Sequence, residues 1–127
     1  MAIARETTAS LIKPLEGAIV RRVTLGATTE AGEIVSLQSD GKWDPAVATA
    51  VVKTGAIALQ AGGDGDVVDA VVFGPVKVLT GATIGNIVYV SDTAGEPVET
   101  AGTKSAVIGY AESATILFVN FNTVAFA

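Results

Sequence analysis

The chain has 127 residues, no cysteine and no histidine, and it carries eight Lys or Arg against thirteen Asp or Glu. This length suits one domain of ordinary size. A net charge of −5 argues against nucleic-acid binding, because phosphate neutralisation needs clustered cations. Without Cys and His, thiol, imidazole and Ser-His-Asp chemistry are excluded. No signal-peptide pattern or membrane-spanning apolar run is present, so we expect a soluble, unexported chain.

The first 18 residues differ from the rest and are predicted to form an extended arm. Residues 1–22 carry a net charge of +2, whereas the remaining residues sum to −7. Pro14 and Gly17 prevent a long helix. The arm also contains four large aliphatic residues, which are uncommon in a frayed terminus: Ile3, Leu11, Ile12 and Leu15. We therefore favour an arm that docks on a partner, for instance by strand addition to a sheet edge, over a frayed end.

Residues 19–127 are predicted to form a single β domain, because short β-branched runs alternate with turns rich in Gly, Asp, Thr and Ser. Eight such runs suit a sandwich or a closed barrel. The predicted strands are Ala18–Leu25, Glu33–Gln38, Gly55–Gln60, Asp66–Phe73, Val76–Thr80, Asn86–Ser91, Ser105–Ala111 and Thr115–Phe121.

The segment after the second predicted strand is open to two interpretations. Asp44-Pro45 resembles a helix N-cap with Pro at the first helical position, and the Ala-rich sequence up to Val52 suits one or two helical turns or a loop. Trp43, the single Trp of the chain, is expected to close the end of the first core, with stacking on a ligand as the alternative.

One dense group of carboxylates follows the Gly62-Gly63 pair and consists of Asp64, Asp66 and Asp69. Its oxygens suit a hard cation such as calcium, but the Glu that closes an EF-hand loop is missing. We favour a Gly-Asp hairpin turn. The alternative is a metal-dependent hydrolase built on these three residues, which predicts stoichiometric binding of a divalent cation.

An internal repeat divides the chain into two halves, approximately residues 19–73 and 74–121. Gly32–Ser39 matches Gly85–Asp92 at a spacing of 53, and Val23–Leu25 falls on Val76–Val78 in the same register. In each copy a Gly-x-Ile-Val strand leads into a polar turn that reverses the chain, and two apolar strands follow. We expect the halves to bury their apolar faces against each other in one pseudo-symmetric domain.

The end of the chain is strongly apolar. Phe118, Phe121, Val124 and Phe126 lie within the last ten residues, and a monomer would struggle to bury them all. We therefore predict that these four residues form an oligomer interface.

The sequence contains no convincing catalytic arrangement, and we expect a protein without enzyme activity, cofactor, metal or small-molecule substrate. A carboxylate pair for glycoside hydrolysis would need a cleft lined with aromatic side chains, and the chain has a single Trp. The glycine-rich stretches lack the Lys-Ser/Thr of a phosphate-binding loop.

The second half resembles the capsid cement proteins of bacteriophages. The resemblance is carried by a strand of the form small residue, Gly-Asn, apolar-Val-Tyr, which leads to an Asp-containing hairpin. A Gly-x-Ala-x-Glu strand and a final alternating strand follow. These segments are Gly81–Asp92, Ser105–Glu112 and Thr115–Val119, and the resemblance covers roughly residues 55–120. The first half and the longer basic arm depart from that family's pattern.

The resemblance implies a β-barrel or β-tulip-like sandwich that works as a capsid decoration protein. Such a homotrimer, made in the host cytoplasm, would bind the major capsid protein on the outer surface of the virion and stabilise the head. We expect the arm to contact the capsid through Ile3, Arg5, Leu11, Ile12, Lys13 and Leu15. The alternative function is a trimeric fibre or tail module that binds carbohydrate or a receptor.

Overall fold

The computed structural model describes residues 3–121, and within them the fold is all-β with one short 3₁₀ turn at Ala9–Leu11 and no α-helix. Every pairing between strands is antiparallel. The strands are β1 (Ala4–Arg5), β2 (Lys13–Pro14), β3 (Ile19–Thr24), β4 (Ile34–Leu37), β5 (Trp43–Pro45), β6 (Ala56–Ala58), β7 (Val67–Lys77), β8 (Leu79–Thr80), β9 (Ile87–Val90), β10 (Pro97–Val98), β11 (Val107–Ala111) and β12 (Ile116–Val119). The predicted all-β class is confirmed.

The two halves share the same order of strand pairing. In the first half the order is β5-β4-β6-β7-β3, and in the second it is β10-β9-β11-β12-β7. β4 and β9 begin at Ile34 and Ile87, in agreement with the repeat spacing of 53. Eight of these strands form one curled antiparallel sheet in the shape of a half-barrel. The structure thus confirms a β domain built from two pseudo-repeated halves.

The longest strand, β7, belongs to both halves. Its first part pairs with β3 and β6, and its last part pairs with β2 and β12. The sequence predicted two strands separated at Gly74-Pro75, but the strand continues there. Gly74 adopts a φ of 102°, and a Cβ at this position would lie 2.8 Å from the Cα of Ala18. The register of β7 against β3 shifts beside this position, between Ile19 and Val20, and glycine allows this irregularity without ending the strand.

The two ends of the curled sheet approach each other. The carbonyl of Gly95, two residues before β10, accepts a hydrogen bond from the Ile34 N–H at 3.0 Å. The Gly95 N–H donates to the carbonyl of Ala46 at 2.7 Å, and the Ala48 N–H donates to the carbonyl of Ser91 at 2.9 Å. These bonds join the first half to the second across the open side of the half-barrel.

Two hydrophobic clusters occupy opposite faces of the first half, because neighbouring residues in a strand point to opposite sides. The larger cluster draws on both halves and includes Ile34, Ile57, Val71, Val76, Val78, Val88, Val90, Ile108, Leu117 and Val119. The smaller cluster consists of Val23, Leu25, Val35, Ala56, Ala58, Val68 and Ala70. Trp43 packs against the smaller cluster, as expected for a side chain that closes the first core.

The helical interpretation of the segment from Asp44 to Val52 is wrong. Trp43–Pro45 is strand β5, and Asp44 lies opposite Ser36 of β4. The residues that resemble a helix cap are thus held in extended conformation by cross-strand pairing, which overrides the local capping signal.

Asp92 ties together the loops on either side of β10. Its carboxylate accepts hydrogen bonds from the Thr103 N–H at 2.9 Å and from the Thr103 hydroxyl at 2.8 Å. These two bonds hold the pKa of Asp92 below its ordinary value of 3.8. The carboxylate therefore contributes stability that is fully present above pH 3.8 and is lost as the pH falls through the lower pKa of the folded state.

We expect Asp92→Asn to lower the melting temperature at neutral pH, and we expect this difference from the unaltered protein to shrink as the pH falls below 3.8. Thermal unfolding followed by circular dichroism over a pH series measures both effects. Glu112→Gln is the control, because this exposed carboxylate accepts no side-chain hydrogen bond within residues 3–121. A difference for Asp92→Asn that is constant with pH would contradict the assignment.

Candidate protein-docking surface

The N-terminal strand β1 is built into the domain. It pairs with β8, with Arg5 opposite Leu79. The Arg5 side chain is 8% exposed, and its nitrogens lie 2.8 Å from Glu30 Oε1 and 2.8 Å from Glu96 Oε2. A third hydrogen bond runs from Arg5 Nη1 to the carbonyl of Ala31 at 3.0 Å. Burial opposes the charge, but the two carboxylates outweigh it and raise the pKa of Arg5. Arg5 thus joins the two halves.

Three of the six residues that were predicted to contact the capsid have partners within the chain. Arg5 forms the ion pairs just described, Ile12 is buried in the larger cluster, and Ile3 packs against that cluster. The sequence shows that these side chains need partners, but it does not show whether the partner is internal. Leu11 and Lys13 are exposed and Leu15 is half-buried, so the docking prediction applies to these residues.

β3 and β2 form an exposed edge of the domain. All four residues from Ile19 to Arg22 are exposed, although neighbouring residues in a strand usually alternate between buried and exposed sides. Lys13 of β2 lies along the same partner strand, opposite Lys77. Within residues 3–121 none of Lys13, Arg21 and Arg22 forms an ion pair. We call Lys13 and residues 19–22 the basic edge.

A second exposed surface crosses the outside of the second half. Ile87 lies opposite Tyr110, and Tyr110 lies opposite Phe118, so the three side chains form a line across β9, β11 and β12. Phe73 adds an edge-on ring, with its centroid 5.2 Å from that of Phe118. We call Ile87, Tyr110 and Phe118, with Phe73 beside them, the aromatic row.

The four residues that were predicted to form an oligomer interface have different positions. Phe118 belongs to the aromatic row, whereas Phe121 packs against the larger cluster, where a Cβ on Gly55 would lie 2.6 Å from its ring. Val124 and Phe126 lie outside the described residues. Sequence reasoning missed Ile87 and Tyr110, although the repeat relates them to apolar positions of the first half.

The carboxylate group at residues 64–69 forms a turn. The Asp66 carboxylate accepts a hydrogen bond from the Gly63 N–H at 2.8 Å, and Asp64 forms an ion pair with Lys42 at 3.0 Å. Gly65 has a φ of 91°, as a type II turn requires at its third residue. No group of three or more potential metal ligands occurs in the described part of the chain. The observed contacts agree with the hairpin interpretation.

A surface cleft of about 290 Å³ lies beside β4. It is lined mainly by polar side chains, and its lining residues are Ser36, Leu37, Gln38, Ser39, Val51 and Lys53. This lining differs from the largely apolar, enclosing walls that are typical of small-molecule sites. The two exposed surfaces described above, the basic edge and the aromatic row, are instead suited to contacts with proteins.

In the region described, no helix is long and apolar enough to span a membrane. A scan of the sequence against protein-family models gives no match, and a search of curated proteins finds no similar sequence. The basic edge and the aromatic row are therefore the features from which a function is proposed.

Proposed function

We propose that this protein is a non-enzymatic decoration, or cement, protein of a bacteriophage head. It binds the outer surface of the major capsid protein shell as a homotrimer and stabilises the assembled head. The observation that carries the proposal is the basic edge, which presents cationic and aliphatic side chains on a chain with a net charge of −5. The resemblance of the second half to phage cement proteins supports the choice of the capsid as partner.

The basic edge has the chemistry of a contact with an acidic protein surface. Arg21 and Arg22 offer charged hydrogen-bond donors, and Ile19 and Val20 offer apolar area next to them. Cations on an exposed edge strand also prevent pairing between copies of the same edge, because like charges would meet there. The edge is therefore suited to a different, acidic partner.

A cement protein needs an extensive contact surface and no active site. Binding to the assembled shell stabilises the shell by mass action, and each occupied site contributes a free energy that grows with the logarithm of the protein concentration divided by Kd. An antiparallel domain whose two halves are joined by hydrogen bonds, such as Ile34 N–H to the Gly95 carbonyl and Gly95 N–H to the Ala46 carbonyl, presents this surface without a large cost of ordering.

The test is co-sedimentation of the purified protein with expanded, decoration-free heads of the phage that encodes it. We expect saturable binding near one copy per capsid subunit. The variant Arg21→Glu/Arg22→Glu is expected to bind roughly tenfold more weakly or worse. Lys53→Glu/Lys104→Glu is the matched control, because it changes the net charge equally at exposed lysines outside the basic edge.

The result for the control decides what the charge reversal means. Equal loss of binding in both double variants would show that only net charge matters, and the basic edge would then not be the docking site. Absence of binding by the unaltered protein at micromolar concentration would refute the capsid role and favour the fibre or tail module.

A further inference from the structure

The two halves place equivalent rows of side chains across their sheets. In the first half Ile34 lies opposite Ile57, and Ile57 lies opposite Val71. The second half repeats this line with Ile87, Tyr110 and Phe118 across β9, β11 and β12: Ile87 lies opposite Tyr110, which lies opposite Phe118. The first two positions of each row are separated by the repeat spacing of 53.

The two rows differ in their exposure to solvent. In the first half, Ile34 and Ile57 are 1% exposed and Val71 is 0% exposed. In the second half, Ile87 is 48% exposed and Tyr110 is 40% exposed. The same face of the same local fold is thus buried once and open to solvent once.

The first row is covered by the second half of the chain. Its three residues belong to the larger cluster together with Ile108 and Val119, and Phe121 packs against that cluster. A Cβ on Gly55, next to β6, would lie 2.8 Å from Ile108. The cover of this face is therefore another unit of the same fold.

The open row has the composition of a protein interface. The ring centroids of Tyr110 and Phe118 are 5.3 Å apart, and their planes meet at 26°, which is a stacked arrangement. Phe73 packs edge-on against Phe118 at 82°. Aromatic residues are enriched in protein interfaces, and contiguous exposed apolar patches mark interaction sites.

The distribution of charge around the row also suits a second copy of this chain as the partner. The row itself contains no charged side chain. Two acidic copies can therefore contact each other there without repulsion between like charges inside the contact. Beside the row, Lys77 of β7 lies between Ile116 of β12 and Lys13 of β2, and is paired with both. Lys77 therefore flanks the row and can pair with a carboxylate of a second copy, whose net charge is −5.

We infer that the aromatic row is the surface at which a second copy of this chain binds. The second copy covers this row from outside the sheet, as the second half covers the first row. This inference rests on the oligomer that is part of the proposed function, but it does not depend on binding to a capsid.

The test is sedimentation velocity of the full chain in the absence of heads. We expect the unaltered protein to sediment as an oligomer at micromolar concentration and Ile87→Lys to weaken self-association by roughly a hundredfold. Ile84→Lys is the matched control: Ile84 is also an exposed isoleucine, at 73%, three residues away and outside the row. The control is expected to sediment as the unaltered protein does. Circular dichroism checks that both variants are folded.

A second measurement does not depend on a charge in the row. Because the chain has no cysteine, Ile87→Cys and Ile84→Cys each carry a single thiol. The rate of maleimide labelling at position 87 is expected to fall as protein concentration rises, whereas the rate at position 84 is expected to stay constant.

Two results would overturn the inference. One is an unaltered protein that stays monomeric up to millimolar concentration, which would leave the row to residues 122–127 or to a different partner. The other is an oligomer that Ile87→Lys does not weaken more than Ile84→Lys does. Because heads are absent, either result leaves the capsid proposal to its own co-sedimentation test.

Discussion

Gly109→Ala is expected to destabilise the domain strongly. Gly109 lies in β11 opposite Val119 of β12, and a Cβ at this position would overlap the carbonyl oxygen of Phe118. The obstacle is backbone, so it cannot move aside as a flexible side chain can. The pairing of β11 with β9 is already irregular between Val107 and Gly109. We expect a loss of about 4 kcal/mol in the free energy of unfolding, through strand separation or backbone strain.

Gly63→Ala is the control for this prediction. Gly63 does not have a positive φ, and the nearest atom to its added Cβ is an Asp66 carboxylate oxygen at 4.0 Å. We expect its effect to stay within about 0.5 kcal/mol. Urea unfolding followed by circular dichroism measures both variants, with the slope of the transition as a test of two-state behaviour. A loss below about 1 kcal/mol for Gly109→Ala would show that β11 and β12 can separate at low cost.

Arg5→Ala is expected to have the second largest effect, because it leaves carboxylates of both halves without their cation. Arg5 makes charged hydrogen bonds to Glu30 and Glu96, and a third bond to the carbonyl of Ala31. Glu30 is mostly exposed and will be solvated, which limits the cost of that pair. The hydrogen bonds to Glu96 and to the carbonyl of Ala31 account for most of the effect, and we expect the free energy of unfolding to fall by roughly 2 kcal/mol.

The location of the loss distinguishes Arg5 from an ordinary surface cation. Hydrogen exchange is expected to accelerate at the Glu6 N–H, which donates to the carbonyl of Val78 at 2.7 Å, because β1 loses its attachment. Arg22→Ala is the control, since Arg22 is exposed and forms no ion pair in residues 3–121, and we expect less than about 0.5 kcal/mol. Unchanged exchange at Glu6 would mean that backbone pairing alone holds β1.

Most strands were predictable because their signals are local. β4 and β9 each begin directly after a Gly-Glu or Gly-Asn pair, and short runs rich in β-branched and other apolar residues mark β3, β11 and β12. β5 and β10 have three and two residues, which is too short for a periodic pattern. They form because a turn brings the chain back alongside the preceding strand, so that β5 pairs with β4 and β10 pairs with β9.

The docking and oligomer residues were only partly predictable. An arm with Ile12 and Arg5 needs partners for those side chains, and the sequence indicates this need. Ile12 lies beside Val78, and Arg5 pairs with Glu30 and Glu96. These partners are distant along the chain and become neighbours only when β1 pairs with β8. The basic edge was partly visible as an excess of cations in residues 1–22.

The sequence by itself determined the β class, the two-fold repeat, the acidic balance and the lack of histidine and cysteine. The period of two along a strand also determined which residues share a face, such as Ile34 with Ser36 and Ile87 with Tyr89. Only the tertiary structure decided which of these equivalent faces is buried. Burial depends on what packs from outside the strand, and within residues 3–121 the second half covers the first row, whereas Ile87 and Tyr110 of the second row stay exposed.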